Sequence, residues 1–135
     1  MRKKLHCILL VDDDQDDNYF HQIIINKMNI ANQIDVAING IEAIAYLKKE
    51  NQTPPDLIFL DLNMPKMNGW EFLEEYKTLS IAQKAKVLIV ILTTSANPDH
   101  IRKAKEIQDV KGFNTKPLTK EFLTEILEQH FQHYL

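Results

Sequence analysis

The sequence is short of cysteine, of net charge and of long apolar runs, and each shortage closes off a class of protein. One cysteine, Cys7, occurs in 135 residues. It lies inside an apolar run without a partner, which excludes an internal disulfide and any cysteine-based metal cluster and fits a reducing cytoplasm. Sixteen Lys+Arg against nineteen Asp+Glu leave a formal charge of -3. That is no footprint for gripping a phosphate backbone, so nucleic acid is not expected as a direct partner. The opening MRKKLHCILLV is basic and then apolar. Its apolar part runs for only about seven residues, and Asp12 to Asp14 follow where a signal peptide would place small residues. It reads as a strand. No other segment is expected to span a membrane. No low-complexity or linker stretch interrupts the chain, and its length predicts one domain over 1–135 with a single core of ordinary size.

What is present is a rhythm of apolar stretches separated by helix-like segments. The stretches are Leu5 to Val11, a weaker QIDVA at 33 to 37, Leu57 to Leu60, Val87 to Leu92, and VKGFN at 110 to 114. The first, third and fourth are unbroken apolar runs, as in strands covered on both faces. Between them, Tyr19, Phe20, Ile23, Ile24 and Met28 predict a helix over about 14 to 29. Ile41, Ile44, Ala45 and Leu47 predict another over about 40 to 50, and Trp70, Leu73, Tyr76 and Leu79 mark a third. A fourth starts where Asn97 can cap, Pro98 suits the first helical position and Asp99 favours the dipole. Phe122, Leu123, Ile126, Leu127 and Phe131 carry a fifth, read as running to Leu135. Strands and helices alternating in this way predict a parallel α/β sheet with helices on both faces.

In such a sheet the strand C-terminal ends share one edge, where open α/β folds place their sites. Strand one ends in Asp12, Asp13 and Asp14, strand three in Asp61, and strand four in Thr93, Thr94 and Ser95. Lys116 and Pro117 follow strand five. Carboxylates, hydroxyls and an ammonium therefore converge. Carboxylates held close together repel, and either their pKa values rise or a hard cation joins them. Mg²⁺ suits the second solution, because it takes oxygen ligands and tolerates an incomplete protein cage. Asp61 can then stay ionised and act as a nucleophile toward phosphorus. Lys116 and Mg²⁺ would supply positive charge to the transferring group, and the Thr93 hydroxyl can donate to a third oxygen. Each residue also has a plainer reading: Lys116 as a solvated loop lysine, Thr93 as a strand-end turn residue. For Asp14, Asp16 and Asp17 the acidic first turn of a helix is the preferred reading.

The strings ILLVDDD, LIFLDLNMPKMNGWEFL, VILTTSA and NTKPL, in this order and spacing, resemble the receiver domain of two-component response regulators over essentially the whole chain. The resemblance implies a flavodoxin-like (CheY-like), doubly wound, five-stranded parallel sheet in order 2-1-3-4-5 with five helices. It implies Asp61 as phosphoacceptor, Asp12 and Asp13 as the acidic pair holding Mg²⁺, and the Asn63 backbone carbonyl completing the metal shell. Thr93 resembles the switch hydroxyl and Lys116 the family lysine, and the Lys116–Pro117 bond can be cis as in that family. Gly69 resembles the glycine after the phosphorylation loop, where a positive φ would be tolerated.

Three features depart from the commonest pattern. Phe113 stands where many receivers carry a switch tyrosine. Thr94 follows Thr93 where alanine is common, so either hydroxyl could serve, and counting forward to Ile101 favours Thr93. The stretch EIQDVKG is about one residue longer than usual and lacks a glycine turn.

The resemblance implies a stand-alone, cytoplasmic response regulator with no output domain. Its phosphoryl group would come from a sensor histidine kinase or a histidine phosphotransfer protein, and it would bind an unidentified downstream target. It would act on no substrate beyond its own phosphorylation and dephosphorylation. The segment LTTSANPD is similar to regulators that serve hybrid or phytochrome-like sensor kinases. The face formed by helix four, strand five and helix five is where a target or a second copy, giving a homodimer, would sit. The alternative is a degenerate receiver acting as an unphosphorylated binding module, against which the complete set Asp12, Asp13, Asp61, Thr93 and Lys116 counts. A phosphohydrolase would want a second acid where Asn63 stands. A calcium loop in DDDQDDN lacks its glycine and closing glutamate.

Overall fold

The apolar run Leu5–Val11 forms β1 inside a sheet, flanked by β2 (Ala31–Ala37) and β3 (Leu57–Leu60). Next come β4 (Leu88–Thr93) and β5 (Val110–Thr115), and all pairings are parallel, in the order β2-β1-β3-β4-β5. The computed structural model describes residues 4–50, 52–84, 87–94 and 97–132. Helices α1 (Gln15–Met28), α2 (Gly40–Lys48), α3 (Gly69–Tyr76), α4 (Pro98–Lys105) and α5 (Lys120–His130) connect or follow the strands. A single helical turn at Ile81–Lys84, which no periodicity announces, precedes β4. Among the described residues no helix is long and apolar enough to cross a membrane.

The inner strands are apolar on both faces because both faces are covered. Leu9, Val11, Ile58, Leu60, Ile89 and Ile91 point to one side, with Ile44 and Leu47 of α2, Phe72 and Leu73 of α3 and Ala104 of α4. Ile8, Leu10, Leu57, Phe59, Val90 and Leu92 point to the other, with Ile25 of α1 and Leu123, Ile126 and Leu127 of α5. Strand periodicity of two sorts the side chains between these layers. Every long helix starts on a side chain that accepts a first-turn N–H: Asp14, Asn39, Asn68, Asn97 and Thr119. Asn68 and Glu71 complete a reciprocal capping box.

Two helix faces differ from the sequence expectation. In α1 the buried residues are Asn18, His21 and Ile25, whereas Tyr19 is 69% and Phe20 45% exposed. The inward face carries polar residues at its N-terminal end because that end lies against the polar edge of the sheet, and this shifts the apolar stripe out of phase. In α2, Ile41 is exposed while Ala43, Ile44 and Leu47 face the core. The last helix stops at His130 with Phe131 buried beyond it, and Leu135 lies outside the described residues.

Candidate functional site

The edge predicted from the sequence exists, and backbone hydrogen bonds continuing past the strand ends hold its residues. Asp12 N–H donates to the Ala37 carbonyl at 3.0 Å, Asp61 N–H to Val11 at 2.9 Å, and Lys116 N–H to Thr93 at 2.8 Å. Asp12, Asp61 and Thr93 are buried although polar, and Asp13 is exposed. One carboxylate oxygen from each of Asp12, Asp13 and Asp61 lies within 4.8 Å of the others. Asn63 is exposed on the loop that follows Asp61. A donor set of carboxylate oxygens alone, two buried and one open to solvent, fits a hard divalent cation that keeps positions free for other oxygens.

Lys116 enters this cluster from the β5–α5 loop. Its Nζ lies 2.6 Å from Asp12 Oδ2, 2.7 Å from Asp17 Oδ2 and 3.7 Å from Asp61 Oδ1. The Lys116–Pro117 peptide is cis. Burial works against the Lys116 charge, but hydrogen bonds to Asp12 and Asp17 outweigh it and hold the pKa above its ordinary value. Burial pushes the Asp61 carboxyl up to about 6. The neighbouring Asp12 adds to the rise, and Lys116, Thr93 and the Leu62 amide oppose it. Burial also raises Asp12, against the hydrogen bonds from Lys116 and the Asp14 amide. The Asp12 and Asp61 carboxylates are crowded, buried and incompletely compensated, the state that a cation or a transferred group of suitable charge distribution would relieve.

The two threonines separate cleanly. Thr93 is fully buried and Thr94 is exposed. The Thr93 hydroxyl is near enough to Asp61 to lower its pKa, yet it makes no hydrogen bond of normal geometry. It is a buried donor with an unfilled capacity. Ser95 lies outside the described residues. Phe113 is half-buried, stands in register with Ile91, and packs against the core layer shared by α2, α3 and α4.

Gly69 corrects one expectation. None of the described glycines has a positive φ; in this loop the left-handed residue is Lys66, at φ 65°. Gly69 is needed for close approach instead: a Cβ there would lie 2.6 Å from the Asp61 carbonyl oxygen and 2.8 Å from Leu62 Cα.

The acidic first turn of α1 also does more than favour a helix dipole. Asp14 stands just before the helix as its cap, accepting from the Asp16 and Asp17 amides. Asp17, however, reaches Lys116. Asn18 Nδ2 donates to the Asp12 carbonyl at 2.8 Å, and the Leu118 amide donates to His21 Nε2 at 3.3 Å. Burial holds the His21 pKa below its ordinary value. Sequence reading missed Asn18 and His21 and gave Asp17 only the helix-turn reading. The available signal was their helical spacing, which puts polar groups on the face where an apolar stripe was being sought.

Comparison with known proteins agrees with this geometry. Residues 8–128 match the family model of the response regulator receiver domain. The chain is 35% identical over 121 residues to response regulator Rcp1 of Synechocystis sp., covering 84% of this chain and 81% of that protein. It is similar to the crystal structure of a two component response regulator from Cytophaga hutchinsonii, with TM-score 0.86 and 28% identity over 96% of this chain and 99% of that one. The crystal structure of the phosphorylated cyanobacterial phytochrome response regulator RcpA gives TM-score 0.74 and 31% identity, covering 96% and 93%.

Proposed function

The chain belongs to the response regulator receiver domain family, and from that premise we propose that it is a working phosphoacceptor rather than a degenerate receiver, with Asp61 as the accepting side chain. The observation that carries this reading is the cluster of Asp61 with Asp12 and Asp13, beside which the Lys116 ammonium lies 2.6 Å from Asp12 and 3.7 Å from Asp61.

An Asp61 carboxylate oxygen attacks the phosphorus of a phosphohistidine or acyl phosphate. The new bond is Asp61 O–P, and the bond from phosphorus to the donor's nitrogen or oxygen breaks and leaves its electron pair on the donor. Mg²⁺ held by Asp12, Asp13 and Asp61, with the Asn63 carbonyl, would neutralise charge on the phosphoryl oxygens. Lys116 stabilises the same oxygens from the protein side. The unpaired Thr93 hydroxyl is the donor that can turn toward the new group, and the strand that carries Thr93 is paired to Phe113 and β5. The signal therefore leaves through α4, β5 and α5 to a target protein or a second copy. The chain acts on no other substrate and works in the cytoplasm.

The donor is a sensor histidine kinase or histidine phosphotransfer protein. Similarity to structures described as phytochrome and bacteriophytochrome response regulators supports testing a phytochrome-like kinase first. Intact-mass measurement after incubation with acetyl phosphate and Mg²⁺ tests the central claim. One added phosphoryl group is expected, absent without Mg²⁺ and absent in Asp61→Asn. Labelling that persists in Asp61→Asn would remove Asp61 from the role.

A further inference from the structure

Lys116 is gripped by two carboxylates at charge-assisted length, and one of them stands outside the acidic cluster. Asp12 belongs to the group of oxygens shared with Asp13 and Asp61. Asp17 does not: it comes from the first turn of α1 and reaches Nζ at 2.7 Å. The pair is sheltered, with Lys116 9% and Asp17 34% exposed. The Asp17 backbone is fixed independently, because its amide donates to Asp14 Oδ1 at 3.1 Å. One residue further, Asn18 ties the helix to the Asp12 carbonyl, and one turn on, His21 accepts from Leu118, two residues past Lys116. One end of α1 thus clasps the loop that presents the lysine.

We propose that Asp17 is a positioning residue that holds the Lys116 ammonium back from Asp61, so that phosphorylation is opposed by this pair and is transmitted to α1 when the pair loosens. The inference rests on reading Asp61 as the phosphoacceptor.

The distances give the direction. The ammonium lies 3.7 Å from Asp61 Oδ1, beyond hydrogen-bond length. To serve a phosphoryl group it must move toward Asp61. Such a move keeps it near Asp12, whose carboxylate shares the cluster, but draws it away from Asp17. An ammonium has three donors, and here two are committed to carboxylates. Their negative charge also weakens the field that Lys116 presents to an incoming anionic donor. Removing the Asp17 charge should therefore speed transfer. If Asp17 only braced the structure, its removal would slow transfer or leave it unchanged.

The test compares wild type, Asp17→Asn and Asp17→Glu by intact mass during labelling with acetyl phosphate and Mg²⁺. Asp17→Asn is expected to label about three- to tenfold faster, the scale of one partly exposed ion pair, and Asp17→Glu to return toward wild type. Amide NMR gives a second readout. Beryllofluoride with Mg²⁺ should shift residues 15 to 22 in wild type, and much less in Asp17→Asn, which has no pair to release. Labelling of Asp17→Asn at or below the wild-type rate overturns the proposal, as do α1 shifts of equal size in both proteins. If wild type itself takes no phosphoryl group, the reading of Asp61 falls and takes this inference with it. A wild type that labels beside an unaltered Asp17→Asn defeats the inference alone.

Discussion

The Gly69 amide donates to the Leu62 carbonyl at 3.0 Å, closing the loop that leaves Asp61 and returns at the start of α3. The glycine sits so near the chain it closes upon that a Cβ would meet backbone atoms of Asp61 and Leu62, which cannot swing aside as a side-chain tip can. Gly69→Ala is therefore expected to destabilise the fold by about 1–3 kcal/mol through overpacking. It should also weaken Mg²⁺ binding by displacing Asp61 and Asn63. Urea denaturation and a metal titration check this, and an unchanged midpoint would show that the loop has room to yield.

Thr93 invites the opposite experiment. Its hydroxyl is buried without a hydrogen bond, so Thr93→Val removes an unsatisfied polar group and keeps the branched shape. The metal-free variant is expected to be as stable as wild type, or more stable by about 1 kcal/mol. Beryllofluoride should then perturb the loop around Asp61 but no longer reach α4 and Phe113. A loss of stability on denaturation would mean that the hydroxyl is paired in solution.

The pH dependence of Asp61 can be isolated by difference. In the unfolded chain its carboxyl titrates near 3.8, and in the folded protein burial moves it up to about 6. Between those values the folded state binds more protons, so this group's penalty on stability grows as pH rises through the window and is complete above it. His21, whose pKa is lowered by burial, acts in the opposite sense, favouring the folded state as pH rises. Comparing wild type with Asp61→Asn cancels the His21 contribution. In the presence of a chelator, Asp61→Asn should be more stable at pH 7.5 by about 1–3 kcal/mol, and the gap should shrink by pH 4. Replacing the chelator with Mg²⁺ should stabilise wild type and not the variant. A gap independent of pH would show that Asp61 titrates normally.

Much of the fold is legible in the chain because its inner strands need two apolar faces and its helices carry their caps. LHCILLV and LIFL match β1 and β3 residue for residue, and Asn97-Pro98-Asp99 marks the start of α4. The site is legible for the same reason: a carboxylate or hydroxyl directly after an apolar strand has only the sheet edge to occupy. What periodicity misread is the face of α1. A helix that packs against a polar site carries Asn18 and His21 inward, and exposed Tyr19 and Phe20 beside them imitate a core stripe. The role of Asp17 was hidden because its partner, Lys116, is 99 residues away in the chain. The close approach at Gly69 was not legible because a glycine required by its neighbours looks the same in sequence as one required by its own torsion angle.

Helix α4 commits little of itself to the core. Ala104 is its one buried residue among those described. The helix is otherwise steadied at its surface by Trp70 of α3, whose ring meets His100 edge-on at 5.7 Å and lies under the Lys103 ammonium at 4.4 Å. β4, directly before it, is buried from Ile89 to Thr93. Amide exchange should therefore be slow in β4 and faster in α4, because local opening is cheapest where little apolar surface is lost. A small pull on Thr93 need not deform the sheet to be felt: it acts at the joint where a rigid strand hands over to a helix that detaches at low cost.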